Sequence, residues 1–107
     1  MAGQNSVGKL PASTKRLKLR LYVAGNAPNS VRAIANATTL CETHFAGAYD
    51  LEIVDLLLFP GRAIADGIVV TPTLLKQSPA PAQRVIGNLS DAQLLLDALG
   101  GPRRSAR

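Results

Sequence analysis

Residues 17–32, with the sequence LKLRLYVAGNAPNSVR, decide the fold of this chain. Leu17, Leu19, Leu21 and Val23 alternate with polar residues, and this period of two predicts a strand with one buried face. Tyr22 falls on the polar face, where the pattern predicts a half-buried side chain. The following GNAPN segment predicts a tight turn that leads into a helix.

A helix is predicted from the turn to about residue 44. Asn26 and Asn29 are both candidates for its N-cap, and Gly47 is a typical stop signal. Apolar or small residues recur at helical spacing and predict the buried stripe: Val31, Ile34, Ala35, Thr38, Cys41 and Phe45. Cys41 lies on this stripe, so it is interpreted as a small buried hydrophobe.

Residues 49–57 (YDLEIVDLL) predict a second strand, with Leu51 and Ile53 on one face. A strand, a helix of about 16 residues and another strand imply a right-handed parallel crossover. Asp55 near the end of this strand is predicted to cap the next segment in preference to serving as a site carboxylate.

The second half of the chain is less regular. Residues 62–67 predict a short helix or loop, and residues 68–70 either its end or a short strand. Residues 73–76 and 84–86 predict a hairpin, preceded by Pro72, a residue that can adopt a cis peptide bond. Ser90 and Gln93 have the spacing of a capping box and predict a last helix that ends before Gly100.

Composition excludes several classes of function. One cysteine and one histidine in 107 residues allow no intrachain disulfide, no C-x-x-C pair and no metal site rich in these residues. Residues 17–100 contain six of the twelve basic residues and all seven acids, so the net charge of +5 belongs to the ends of the chain. Nucleic-acid binding is therefore disfavoured. No apolar run is long enough to span a bilayer, and we expect a cytoplasmic protein.

The predicted organisation is a disordered basic leader at 1–16, one domain at 17–100 and a basic tail at 101–107. The predicted element order of the domain, with Thr-Pro before the hairpin, resembles the thioredoxin-like α/β fold. In that fold the turn after the first strand usually carries a redox cysteine, and here residues 25–30 have none. Cys41 lies about 16 Å further along the helix. Phosphate-binding glycine motifs are also absent, so the sequence predicts a binding module, not an enzyme, and no cofactor.

Four segments together resemble the KaiB family of circadian clock proteins: LYVAGNAPNSVRA at 21–33, EIVDLL at 52–57, VTPTLLK at 70–76 and RVIGNLSD at 84–91. The resemblance covers about three quarters of the chain. It implies a homo-oligomer, a dimer or tetramer, of order βαββααβ, or a thioredoxin-like form of order βαβαββα. It also implies that the second form binds a KaiC-like ATPase. The thioredoxin-like input domain of clock-associated histidine kinases is similar too.

The resemblance also suggests site residues. Those that match basic positions of the family, and are expected in an oligomer or KaiC contact, are Arg32, Lys76 and Arg84. Local propensity is weak over 58–90, so the resemblance predicts that this region changes structure between the two forms. Residues expected to take part in that change, with slow proline isomerisation as a possible gate, are Pro72, Pro79, Pro81, Gly87 and Asp91.

The chain departs from the usual cyanobacterial pattern at Leu17, at Gly67 and in its basic end, Arg103, Arg104 and Arg107. These differences predict a non-cyanobacterial relative that acts in timing, stress or signalling. Two alternatives stay open: a thioredoxin-like redox or sensor module with no role in a clock, and a nucleic-acid-associated module that depends on the basic ends.

Overall fold

The computed structural model describes residues 16–100; the predictions for residues 1–15 and 101–107 fall outside this part of the chain. Its elements follow the order βαβαββα: β1 (Leu17–Val23), α1 (Pro28–His44), β2 (Tyr49–Asp55), α2 (Pro60–Ala65), β3 (Thr73–Ser78), β4 (Gln83–Ile86) and α3 (Ala92–Leu99). Of the two arrangements that the resemblance implied, the described residues adopt the thioredoxin-like one.

The four strands form one mixed sheet in the order β2-β1-β3-β4. β1 pairs in parallel with β2, from Leu17 opposite Tyr49 to Val23 opposite Asp55. It pairs antiparallel with β3, which forms a hairpin with β4. The predicted parallel crossover and the predicted hairpin are both confirmed. β1 is one of the two inner strands of the sheet, and it alone pairs with strands from both halves of the chain.

The sheet buries a large core on one face and a small core on the other. The large core lies under α1 and α3 and contains Leu17, Leu19, Leu21 and Val23 from β1. The small core lies under α2 and contains Tyr22, Val54 and Ala63. Tyr22 is fully buried, not half-buried as predicted, because α2 covers the face of β1 that the alternation assigned to solvent.

Helix α1 has the predicted length, but its buried stripe is displaced. The residues it buries are Ser30, Ala33, Ala37, Leu40 and Cys41, whereas Val31 is 52% exposed. The N-cap is Ala27, with no side-chain hydrogen bond, so neither Asn26 nor Asn29 caps the helix. Four of these five side chains are small, so the buried stripe of α1 is made largely of small residues.

Three boundaries in the rest of the chain also differ from prediction. β2 ends at Asp55, two residues early, and residues 68–70 form no strand. The N-cap of α3 is Asp91, whose Oδ1 accepts a hydrogen bond from the Leu94 N–H at 3.0 Å, so Ser90 is not the cap. The expected helix stop is confirmed at Gly100, which has a left-handed backbone with φ 76°. The Thr71–Pro72 peptide bond is cis.

Leu89, between β4 and α3, is buried in the large core although its backbone has a positive φ of 65°. This conformation is costly for a residue with a branched side chain. The left-handed backbone turns the chain so that the side chain reaches the core beside α1 and α3. The Asn36 side chain supports the turn by donating to the Asn88 carbonyl at 2.8 Å.

We predict that Leu89→Ala lowers the free energy of unfolding by about 2–5 kcal/mol, the usual cost of truncating a buried leucine. The replacement keeps the unfavourable φ and leaves a cavity. Leu94→Ala is the matched control, because Leu94 is 58% exposed on the next helix and should change stability by under about 1 kcal/mol. Urea unfolding measures both, and equal effects would contradict the packing role of Leu89.

Candidate functional site

The turn between β1 and α1, where a thioredoxin keeps its cysteines, is closed by hydrogen bonds in this chain. The buried Ser30 hydroxyl accepts from the Ala24 N–H at 3.0 Å. Asp55 Oδ1 accepts from the Gly25 N–H at 3.1 Å and from the Leu57 N–H at 2.9 Å. Asp55 therefore caps the segment after β2, as predicted, and also ties that segment to the first turn. The turn presents no nucleophile.

Cys41 lies in the middle of α1 and is fully buried in the large core. Burial raises the pKa of its thiol to about 11, with a smaller contribution from the negative charge of Glu42. A thiol with this pKa is almost entirely protonated near neutral pH, so it is a poor nucleophile. The structure therefore supports the interpretation of Cys41 as a packing residue.

A charged cluster lies on the α2 face of the sheet, and the sequence did not reveal it. Arg20 of β1 donates to Glu52 of β2 at 2.9 Å and to Asp66, just after α2, at 2.8 Å. Arg62 of α2 donates to the second oxygen of Glu52 at 2.6 Å. The Tyr22 hydroxyl lies 2.6 Å from Asp66 Oδ2. We call Arg20, Tyr22, Glu52, Arg62 and Asp66 the α2 cluster.

The cluster changes the acidity of its members. Hydrogen bonds from Arg62 and Arg20 lower the pKa of Glu52 to about 2. Hydrogen bonds from Tyr22 and Arg20 lower the pKa of Asp66, and burial beside Asp66 raises the pKa of Tyr22. Both carboxylates are therefore ionised throughout the physiological range. A fully paired set of this kind holds charges in place and has no group ready for proton transfer.

An apolar surface lies beside the cluster, around α2. Its six large side chains are between 45% and 90% exposed: Leu57, Leu58, Phe59, Ile64, Val69 and Val70. We call these residues the apolar end surface. Ile64, Val69 and Val70 line a groove of about 380 Å³ together with Pro60 and Ile68. Leu57 approaches the β1–α1 turn, because its Cδ1 lies 3.2 Å from the position of a Cβ on Gly25.

The three basic residues predicted as a contact are not brought together. Arg32 is exposed on α1 and lies 3.4 Å from Asn29 Oδ1. Lys76 is only 4% exposed, and its Nζ lies beneath the end of α3, 3.5 Å from the position of a Cβ on Gly100. Arg84 donates to the backbone carbonyls of Asp66 and Gly67 after α2. In this arrangement Arg32 and Arg84 are exposed, whereas Lys76 is buried.

The residues predicted to change structure lie along the second half of the fold. Pro72 is buried before β3, whereas Pro79 and Pro81 lie in the turn of the hairpin. Gly87 follows β4 with φ 116°, and Asp91 caps α3. They therefore flank three elements and form no common site.

Within residues 16–100, no group of three or more His, Cys, Asp or Glu side chains is placed to hold a metal ion. No helix in the same part of the chain is long and apolar enough to cross a membrane. The α2 cluster and the apolar end surface together combine paired charges with exposed apolar groups.

The family model and the similar sequences indicate the same family. A model of the KaiB domain matches residues 20–100. The circadian clock oscillator protein KaiB of Acaryochloris marina is 47% identical over 85 residues, covering 79% of this chain and 82% of that protein. The KaiB protein of Synechococcus elongatus is 48% identical over 81 residues, covering 76% and 79%.

Solved structures agree on the fold. The N-terminal domain of Synechococcus elongatus SasA has a TM-score of 0.68 at 25% identity, covering 85% of this chain and 90% of that one. Mitochondrial thioredoxin 3 from Saccharomyces cerevisiae has a TM-score of 0.65 at 13% identity, covering 78% and 76%. The second likeness concerns architecture alone.

We predict that Glu52→Gln lowers the melting temperature at pH 7 and that the difference from wild type disappears in acid. The folded protein depresses the pKa of Glu52 from 4.5 to about 2. The ion pairs therefore stabilise the fold fully above pH 4.5, and this contribution is lost as the pH falls towards 2. The carboxylate is 46% exposed, so the effect is modest. Thermal unfolding at several pH values measures it, and a difference independent of pH would contradict the assignment.

We also predict that Cys41 in the folded protein reacts with the thiol reagent DTNB at pH 8 at least about 100-fold more slowly than in the urea-unfolded chain. A pKa of about 11 against the ordinary value lowers the thiolate fraction by that factor, and burial blocks access as well. The Cys41→Ser variant gives the blank. Rapid labelling of the folded protein would show a reactive thiol and would support a redox role.

Proposed function

This chain belongs to the KaiB family, and from that membership we propose that it is a non-enzymatic regulator in a clock or timing system. We propose that it binds a KaiC-like ATPase and modulates its phosphorylation or ATPase cycle. The observation that carries the proposal is identity of 47–48% to circadian clock oscillator proteins over more than 80 residues. Those matches cover about four fifths of the relatives' length.

The described surface is consistent with binding. The turn that carries chemistry in thioredoxins is closed, and the thiol is buried. The apolar end surface is the part of the described chain where large apolar side chains are most concentrated outside the cores. We propose that it forms the centre of the contact with the ATPase, because apolar groups with a polar rim are the usual anatomy of such contacts.

We propose that Arg32 supplies a charge to the same contact. Leu57 approaches the β1–α1 turn, and Arg32 lies in the first turns of the helix that follows that turn. No acidic residue lies in the first turn of α1, so this end of the helix is positive. We therefore propose that the partner presents an acidic group here, with Arg84 as a second contact.

A second arrangement of the chain belongs to the proposal. In a homo-oligomer, a dimer or tetramer, the region with Pro72, Pro79, Pro81, Gly87 and Asp91 would pack differently, and Lys76 would become available for contact between subunits. Its burial under α3 in the present arrangement is the reason for assigning it to that form. Sedimentation of the protein alone measures whether such an oligomer exists.

The direct experiment is co-purification of the protein with a KaiC-like ATPase, with ATP and without it. We expect a complex in at least one nucleotide state, and we expect Arg32→Glu to weaken it by about tenfold or more, about 1.4 kcal/mol. Lys18→Glu is the matched control, because Lys18 is exposed near the start of β1, at the other end of the strand from the turn. Failure to form a complex in either state would refute the proposal.

The alternative function is a thioredoxin-like redox or sensor module. The overall likeness to thioredoxins supports it only at the level of the fold. The absence of cysteine from residues 24–30 and the buried position of Cys41 count against thiol chemistry. A disulfide reductase assay in which activity depended on Cys41 would favour this alternative.

A further inference from the structure

Helix α2 has little stability of its own. It has six residues, far fewer than the 12 or so that an isolated helix needs to be even marginally stable. Its N-cap, Phe59, makes no side-chain hydrogen bond, and Ala63 is its only buried residue. Ile64, which could have packed against the sheet, is 79% exposed. Contacts outside the helix must therefore hold it in place.

Those contacts converge on Asp66, the residue directly after α2. Its carboxylate accepts from Arg20 of β1 at 2.8 Å and from the Tyr22 hydroxyl at 2.6 Å. Its backbone carbonyl accepts from Arg84 of β4. Its N–H closes the last turn of the helix by donating to the Arg62 carbonyl at 3.1 Å. One residue thus connects the helix to two strands.

Arg62 connects the helix to a further strand, β2. Its side chain donates to Glu52 of β2 at 2.6 Å, and Glu52 also accepts from Arg20. The Tyr22 hydroxyl lies 2.9 Å from the Arg62 carbonyl, so its single proton is shared between that oxygen and Asp66. The hydrogen bonds and ion pairs described between α2 and the sheet therefore form one connected network. The helix adds one buried apolar side chain, that of Ala63.

The position of Asp66 shows that the network serves tertiary structure. A negative charge at the C-terminal end of a helix interacts unfavourably with the helix dipole. Taken alone, α2 would be slightly more stable with a neutral residue at position 66. The carboxylate is explained only by its partners on the sheet. Neutralising it should stabilise α2 if the charge acts only on the helix dipole, and should loosen α2 if the charge holds the helix to the sheet.

We propose that the α2 cluster together with Arg84 is a latch: it holds α2 on the sheet, and its release lets α2 lift while the rest of the domain stays folded. Lifting α2 would uncover Tyr22, Val54 and Leu75 on the sheet. Leu56 and Ile68 line both the small core and the groove of the apolar end surface. The uncovered strip therefore continues that surface, so the latch controls how much apolar area the protein presents.

The other half of the domain does not depend on the latch. The large core lies on the opposite face of the sheet, under α1 and α3, and contains thirteen buried residues among those described. The ladders of β1 with β2 and β3 are formed by backbone hydrogen bonds. Segments held by few buried apolar contacts are the ones that open locally in native proteins. Partly exposed ion pairs are also weakened by salt.

The test uses tryptic cleavage after Arg62 together with amide hydrogen exchange of the full-length protein. In Asp66→Asn we expect cleavage after Arg62 to become at least about tenfold faster. We also expect faster exchange at Gly67 and Ile68, whose N–H groups bond to Ile64 and Ala63 of the helix. Exchange in α1 and β1 should stay unchanged, and 0.5 M NaCl should shift the wild type in the same direction. Tyr22→Phe should give a smaller effect of the same kind.

Asp50→Asn is the matched control. Asp50 lies on the same sheet and pairs with Arg16 at 2.9 Å, outside the α2 cluster. It should leave cleavage after Arg62 unchanged. Unchanged or slower cleavage in Asp66→Asn would overturn the latch, since that is the result for a carboxylate that acts only on the helix dipole. Equal acceleration of exchange in every element would overturn it as well. Should Asp66→Asn fail to fold, Tyr22→Phe decides by the same two readouts.

Discussion

The central position of β1 is the constraint on which the rest of the structure depends. The strand uses both of its edges, one for β2 and one for β3, so it joins the two halves of the chain within one sheet. Both faces of the strand are also covered by other elements. One side carries leucines into the large core, and the other carries Arg20 and Tyr22 to α2. A change of register by one residue would exchange these two sets and destroy both faces at once.

The hydrogen bonds where β1 ends determine what the β1–α1 turn presents. Where β1 ends, the chain could have placed a nucleophile at the positive end of α1. Instead, Ser30 and Asp55 use their oxygens to hold the turn. Polar groups that are fully used in such hydrogen bonds stabilise a fold and are not available for chemistry. The apolar end surface remains accessible near this turn, together with exposed polar residues such as Asn26, Asn29 and Arg32. Such a mixture of apolar and polar groups is consistent with the proposed binding function.

Much of the fold could be predicted from the sequence because the pattern is strong where burial is one-sided. The alternation in 17–23 and the long helix after it were sufficient for the first βαβ unit. Errors arose where a distant element covers a residue. Tyr22 was predicted to be half-buried and Lys76 was expected in a contact surface, but α2 covers Tyr22 and the end of α3 covers Lys76. The α2 cluster was missed for a related reason: Arg20 and Glu52 are 32 residues apart and meet only through the parallel register of β1 and β2. A search for opposite charges across that register would have found the pair.

The two tyrosines give the protein an optical property that follows from their surroundings. The chain has no tryptophan, so tyrosine dominates its near-ultraviolet absorption. Each hydroxyl lies within hydrogen-bond distance of a carboxylate, Tyr22 of Asp66 under α2 and Tyr49 of Glu42 beside α1. Burial, with the bond to Asp66, raises the pKa of the Tyr22 phenol, and the bond to Glu42 raises the pKa of Tyr49 to about 12. Phenolate absorption should therefore emerge in alkali only as each carboxylate contact opens, which makes one chromophore a reporter for each face of the sheet.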